Sequence, residues 1–266
     1  MNRKIAKVLT IAGSDSGGGA GIQGDLKTIT ALGCYGMSAI TALTAQNTLG
    51  VRGILPVHPR FVALQIETVL SDIGADAVKT GMLANAGIIS VVARALRKHR
   101  VKRVVVDPVM VSKSGHALLD PGAEKALIRR LLPLALLVTP NLAEASRLTG
   151  FPVASLDEMK RAARAIQKLG AKNVLVKGGH LAGVPVDVLL SRRKTIEIRG
   201  ERIRTRCDHG TGCALASAIA ALLAQGHDLV ESVRMAKSFV ADAMRRGLRV
   251  GKGHGVLGMP RMSKLP

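Results

Sequence analysis

Short apolar runs alternate with amphipathic stretches along almost the whole chain. VLTIAG, SAITALTAQ, ADAVKTGML, RVVVDPVM, LLVTPN and NVLVKGG are rich in Val, Ile, Leu and Thr, and Gly, Pro, Asn or Asp punctuate them, the pattern of buried strands. Between them FVALQIETVLSDIG, AGIISVVARALRKH, EKALIRRLLPLA and LDEMKRAARAIQKLG repeat apolar residues at three and four, which predicts helices. This strand-helix rhythm predicts an α/β fold, a central mostly parallel sheet with helices on both faces. Ligands of such sheets bind at the carboxyl ends of the strands.

After Lys177 the order changes. VDVLLS and KTIEIRGERIRT read as a hairpin or meander, and CALASAIAALLAQG and LVESVRMAKSFVADAMRRG as two closing helices. With no linker, internal repeat or low-complexity segment, the chain reads as one domain, 1–266.

Composition narrows the classes. The chain has 266 residues, 47% of them hydrophobic, enough for a sizeable core. Its longest apolar segments fall short of the ~18 residues that span a bilayer, so no membrane association is expected. The basic-then-apolar start, MNRKIAKVLTIAG, runs into a glycine loop without a cleavage segment and reads as a first strand. Cys34, Cys207 and Cys213 suggest no disulfide framework, which fits a reducing cytoplasm. Cys207, His209 and Cys213 are close enough in sequence to raise zinc, but a fourth ligand is not evident. The formal charge of +21 would attract polyanions, yet one Tyr, three Phe and no Trp give little for bases to stack on. No specific nucleic-acid partner is expected.

Two glycine loops carry the candidate chemistry. The first, GSDSGGGAGIQGDLK, fails as a Walker A loop because Asp25 and Leu26 stand where Lys and Ser/Thr belong. Gly19, Gly21 and Gly24 satisfy GxGxxG, but no acid lies between Asp25 and Glu67 to hold a ribose. Two readings stay open: the loop approaches a small neutral ligand, with Asp25 or Asp15 bonding it, or Asp15 and Ser16 simply cap a strand-to-helix turn. In the second loop, Gly210, Thr211 and Gly212 open a strongly helical run, so free N–H groups and the helix dipole converge on one point, an anion site. Cys213 stands in the first turn, where that field is expected to lower the thiol pKa and make it a proton acceptor.

The segments GSDSGGGAGIQGDLKTITALG, TALTAQNT, KTGML, VVDPVMVSKSG, TPNLAEA, VLVKGGH and HGTGC, in this order, closely resemble the bacterial hydroxymethylpyrimidine and hydroxymethylpyrimidine phosphate kinases of thiamin biosynthesis, in the ribokinase superfamily. The resemblance covers essentially the full chain. It implies a ribokinase-like fold, a homodimer, and transfer of the γ-phosphoryl of MgATP to 4-amino-5-hydroxymethyl-2-methylpyrimidine and then to its monophosphate. It implies that Gln46 reads the aminopyrimidine, with Gly13, Asp25 and Met82 completing the pocket wall. Cys213 matches the base, and the N–H groups of Gly210, Thr211 and Gly212 the cradle of the moving phosphoryl group. Asp107 and Glu144 match carboxylates holding Mg²⁺ directly or through water, and Asn141 and Lys177 contacts to ATP phosphates. Lys113 and Lys237 are expected to be structural or solvated.

Two positions depart from the pattern: Asp208 precedes HGTGC where Thr is expected, adding a negative charge that Arg204 and Arg206 offset, and Gly24 replaces a usual Ala. Pyridoxal kinase is the nearest rival, alone or as a second activity. A sugar kinase is disfavoured by Gln46 and Cys213; a nucleic-acid-binding protein and a Cys213–His209 hydrolase are more distant.

Overall fold

A computed structural model of the chain describes residues 5–111, 115–179, 181 and 183–259. Lys113 lies outside the described residues.

Among the described residues nine strands form one sheet. In chain order they are β1 (Lys7–Asp15), β2 (Tyr35–Asn47), β3 (Gly50–Pro56), β4 (Ala77–Thr80), β5 (Val104–Val106), β6 (Leu137–Val138), β7 (Asn173–Val176), β8 (Val186–Ser191) and β9 (Lys194–Arg199). Across the sheet the order is β3-β2-β1-β4-β5-β6-β7-β8-β9. The six strands from β2 to β7 run parallel; β3, β8 and β9 are antiparallel additions at the two edges. Chain order reverses direction between β1 and β4, so a crevice opens there at the carboxyl ends.

Alternation along the strands divides the core. Leu9, Val78, Val104, Val106 and Val138 face one side, covered by α2 (Pro59–Asp72), α3 (Ala86–Lys98), α5 (Leu142–Thr149) and α6 (Leu156–Lys168). Val8, Ala77, Val105, Leu137 and Leu175 face the other, under α1 (Gly21–Ala31), α7 (Thr211–Ala224) and α8 (Leu229–Arg245). Every residue of α7 from Ala214 to Leu223 is buried, as an all-round apolar helix must be.

The expected strands and the β8–β9 hairpin form, with Arg192 and Arg193 at φ 47° and 65° in the tight turn. The predicted helix EKALIRRLLPLA differs. Only Ala123–Ala126, α4, is α-helical; the chain then widens into a π turn over Leu127–Leu131 and tightens to a 3₁₀ turn over Leu132–Leu134. Pro133, which lacks an N–H, accounts for the break. β3 was not expected; Gly53 and Pro56 in VRGILP mask its strand character, and both are tolerated on an edge.

Candidate active site

The carboxyl ends of the parallel strands and the start of α7 enclose a cavity of about 420 Å³. Gly13 follows from β1, Gln46 from β2, Met82 from the loop after β4, Asp107 from that after β5, Asn141 and Glu144 from the start of α5, and Lys177 from the end of β7. Gly210, Thr211, Gly212 and Cys213 complete the lining. Of the residues singled out above for the site, only Asp25 is absent from the wall.

Asp25 is fully buried beneath the cavity, where its oxygens are already taken. Lys79 Nζ donates to Oδ1 and Oδ2 at 2.9 and 2.7 Å, Thr10 Oγ1 to Oδ2 at 2.6 Å and Ser217 Oγ to Oδ1 at 2.7 Å. The expectation that Asp25 walls the pocket is therefore corrected: on α1 it faces inward to anchor a lysine. Lys79 is itself fully buried and touches the cavity with its end. Burial alone would lower its pKa, but Asp25, with Cys213 and Asp107 behind it, holds the ammonium above the ordinary lysine range. A Cβ on Gly81 would lie 2.9 Å from Lys79 Nζ, so that glycine leaves room for the charge.

Asp15 organises the first glycine loop. Its carboxylate accepts from the N–H groups of Gly17 (2.8 Å), Gly19 (3.1 Å) and Ala20 (2.8 Å), and lies 3.0 Å from His209 Nε2. Burial would raise its pKa, but His209 and the N–H donors of Ala20 and Gly17 outweigh it and keep the carboxyl low. Asp15 thus ties the strand-to-helix turn together through N–H groups that precede α1, whose own start has no side-chain cap, and it also lines the cavity. Gln46 Oε1 lies 3.2 Å from Thr44 Oγ1, and Gln46 Nε2 lies 3.4 Å from His209 Nε2. Met82 Sδ packs where a Cβ on Gly13 would come, 3.0 Å away.

A second group of lining residues forms an electrostatic cluster. Asp107 Oδ1 accepts from Lys177 Nζ at 2.9 Å and from Thr139 Oγ1 at 3.2 Å. Asn141 caps α5 in a capping box: its side-chain oxygen accepts from Glu144 N at 2.9 Å, and Glu144 Oε2 from Asn141 N at 2.8 Å. Burial pushes the Glu144 carboxyl up to about 7; Lys177 opposes that and Asp107 adds to it. Burial would lower Lys177, but Asp107 and Glu144 keep it above its ordinary range. A Cβ on Gly212 would sit 3.3 Å from Lys177 Nζ, so the lysine lies against the first turn of α7. Gly210 caps that helix at φ 85°, and a Cβ there would strike the Gly19 carbonyl; the two glycine loops meet backbone to backbone.

Cys213 corrects a second expectation. Its thiol keeps a partial opening to the cavity, yet burial, joined by Asp25 and Asp107, pushes its pKa up to about 11 against the lowering by Lys79 and the Gly21 N–H. The surrounding protein and two carboxylates outweigh the helix field that the sequence suggested. From an ordinary value of 9.0, this makes the thiolate fraction near neutral pH roughly a hundredfold smaller. Alkylation of Cys213 by iodoacetamide at pH 7 should be correspondingly slower than that of a free cysteine, and mass-spectrometric labelling rates check it; labelling as fast as free cysteine would contradict the raised pKa.

Lys79, His209 and Thr44 lie outside the site residues the sequence suggested. His209 was visible there only as a zinc or hydrolase candidate; its real neighbour, Asp15, is 194 positions away. Cys207 is buried against Gly247 and Gly255, away from the cavity wall. Asp208, the departure from the pattern, faces His254 Nδ1 at 3.2 Å. Lys237 pairs with Asp187 and does not line the cavity.

Residues 15–258 match the family model described as phosphomethylpyrimidine kinase. The chain is 52% identical over 254 residues to the hydroxymethylpyrimidine/phosphomethylpyrimidine kinase of Rhizobium meliloti, covering 94% of this chain and 95% of that one. It is 55% identical over 249 residues to the thiamine biosynthesis bifunctional protein ThiED of Geobacter sulfurreducens; that match takes in 93% of this chain but 51% of the longer protein. Among solved structures, an ADP complex of Bacillus subtilis pyridoxal kinase superposes with a TM-score of 0.90 at 39% identity, over 96% of this chain and 97% of that one. The sheet is thus the ribokinase-like fold of these relatives, and the chain belongs to the phosphomethylpyrimidine kinase family.

Proposed function

We propose that the chain transfers the γ-phosphoryl group of ATP to the hydroxymethyl oxygen of 4-amino-5-hydroxymethyl-2-methylpyrimidine, and then to the monophosphate so formed. The observation that carries this reading is the lining of one cavity. Gln46, whose amide both donates and accepts, lines it together with Lys177 and the N-terminus of α7, with Cys213 in that helix's first turn. Its volume, about 420 Å³, suits one small heteroaromatic ring with phosphate groups beside it.

The parts have distinct tasks. Gln46 and Met82 hold the ring. The N–H groups at the start of α7 and the Lys177 ammonium stabilise charge on the phosphoryl group in transfer. Cys213 receives the proton that the acceptor alcohol loses as the new O–P bond forms. Asp107 and Glu144 offer the hard oxygen donors that Mg²⁺ takes, and a carboxylate pair that keeps a proton to about pH 7 beside one lysine is short of positive charge. Among the described residues no trio of His, Cys, Asp or Glu forms a cation cage, and Mg²⁺ needs none when waters and phosphates fill its other positions. Bound there, the ion would neutralise charge on the β- and γ-phosphates.

A homodimer working in the cytoplasm belongs to the same reading. Exposed Leu49, Leu55, Phe61 and Leu64 on and beside β3 and α2 support the first, and three free thiols the second. Pyridoxal phosphorylation is the second reading, favoured by the likeness to the Bacillus subtilis pyridoxal kinase. An ADP-release assay separates them. Turnover with the pyrimidine alcohol and its monophosphate, at kcat/KM above that for pyridoxal, is expected; a higher kcat/KM for pyridoxal would reverse the assignment.

A further inference from the structure

We propose that His209 is a positioning residue for substrate recognition: it turns the Gln46 amide with its oxygen toward His209 and its nitrogen toward Thr44, and so dictates which ring edge is accepted. The inference rests on the reading of the cavity as a pyrimidine-alcohol site.

Hydrogen counting carries it. The two ends of a side-chain amide have the same shape, so their neighbours' protons decide the orientation. The Thr44 hydroxyl has one hydrogen and donates it to Ser14 O at 2.8 Å. The structure places Gln46 Oε1 3.2 Å from Thr44 Oγ1 and Nε2 toward His209; with the Thr44 hydrogen spent on Ser14 O, the hydroxyl offers the amide a lone pair, and hydrogen counting reverses that placement so that the end at Thr44 is NH₂. The other end lies 3.4 Å from His209 Nε2. That nitrogen is 3.0 Å from Asp15 Oδ2, on a carboxylate already accepting three backbone N–H groups. Asp15 can only accept, so His209 Nε2 carries a hydrogen, shared between Asp15 and the amide end, which must be the oxygen. Both neighbours demand the same orientation.

His209 cannot turn away to relax this demand. Its backbone N–H donates to Gly255 O at 3.1 Å, fixing the main chain, and its ring lies so close over Gly19 that a Cβ there would collide with it and with Val256. One amide N–H and one oxygen lone pair remain for a ligand, in fixed order. A 4-aminopyrimidine edge presents a donor next to an acceptor. Its hydroxymethyl group is committed to the phosphoryl end, so the ring cannot turn over to suit a reversed amide. Since His209 directly precedes Gly210, the residue that orients the reader also begins the phosphoryl cradle.

The test compares the pyrimidine alcohol with its analogue lacking the 4-amino group. His209→Phe keeps a ring over Gly19 without an N–H; His209→Gln restores a donor. In His209→Phe, KM for the natural alcohol should rise about tenfold, the loss of one hydrogen bond's worth of selection, with a much smaller change for the analogue; His209→Gln should recover most of the difference. Equal losses on both compounds, an unchanged ratio, or a His209→Gln variant no better than His209→Phe would overturn the role. Neutron diffraction from deuterium-exchanged wild-type crystals reads the orientation independently of any variant's folding: deuterons on the amide end facing Thr44 support it, and deuterons facing His209 refute it. Wild-type protein without turnover of the pyrimidine alcohol would sink the kinase reading and this inference together, whereas an active enzyme with unaltered discrimination in His209→Phe sinks only the inference.

Discussion

Lys79→Met is expected to remove about 3–5 kcal/mol of folding stability, a large share of what a domain of this kind has. Lys79 and Asp25 are both fully buried, and no other cation is among Asp25's hydrogen-bond partners. Removing the ammonium leaves a buried carboxylate held by two hydroxyls, and an uncompensated buried charge is what destabilises such variants. The double variant Lys79→Met with Asp25→Asn should recover most of the loss, because the amide still accepts from Thr10 or Ser217 and carries no charge. Urea denaturation of the wild type and both variants decides it. A single variant within about 1 kcal/mol of wild type would show that the pair behaves as an exposed one and that the buried network is misplaced.

Cys213→Ala is expected to lower kcat by about 10²–10⁴-fold, the range general base catalysis supplies. Direction with pH is the sharper signature. A thiol acts as base only after losing its own proton, and burial holds that proton to about 11. Wild-type kcat should therefore rise about tenfold per pH unit above neutrality and level off only near the thiol pKa, while the alanine variant stays flat. Cys213→Asp puts an acid of lower pKa in the same place, so it should outperform alanine at neutral pH and level off earlier. Rates equal for the wild type and Cys213→Ala, or a flat wild-type profile, would assign the transfer to positioning and charge alone.

Much of the site was legible because its residues stand at element ends, where sequence signals are strongest. Gly210, Thr211 and Gly212 announce a helix start, and the punctuation after each apolar run marks the strand ends that carry Asp107, Asn141 and Lys177. What could not be read is what depends on packing across the sheet. Lysine is almost never fully buried, so nothing local in ADAVKTGML sends Lys79 inward. Asp25 looked available to a ligand because its partners, Thr10, Lys79 and Ser217, come from three other elements. The Cys213 pKa was misjudged in sign for the same reason: the helix start is local and visible, whereas the burial that raises the pKa most, and the carboxylates of Asp25 and Asp107 that add to it, come from packing between distant segments. β3 escaped because an edge strand tolerates the glycine and proline that argue against a central one.

The central claim places the migrating negative charge at the start of α7 and the acceptor alcohol beside Cys213. A crystal structure with a non-hydrolysable ATP analogue and the pyrimidine alcohol tests it most directly. The account predicts γ-phosphate oxygens within hydrogen-bond reach of the N–H groups of Gly210, Thr211 and Gly212, Lys177 alongside, and the hydroxymethyl oxygen next to Cys213 Sγ. A γ-phosphate bound in the loop from Gly13 to Gly19, with the ring near α7, would contradict it.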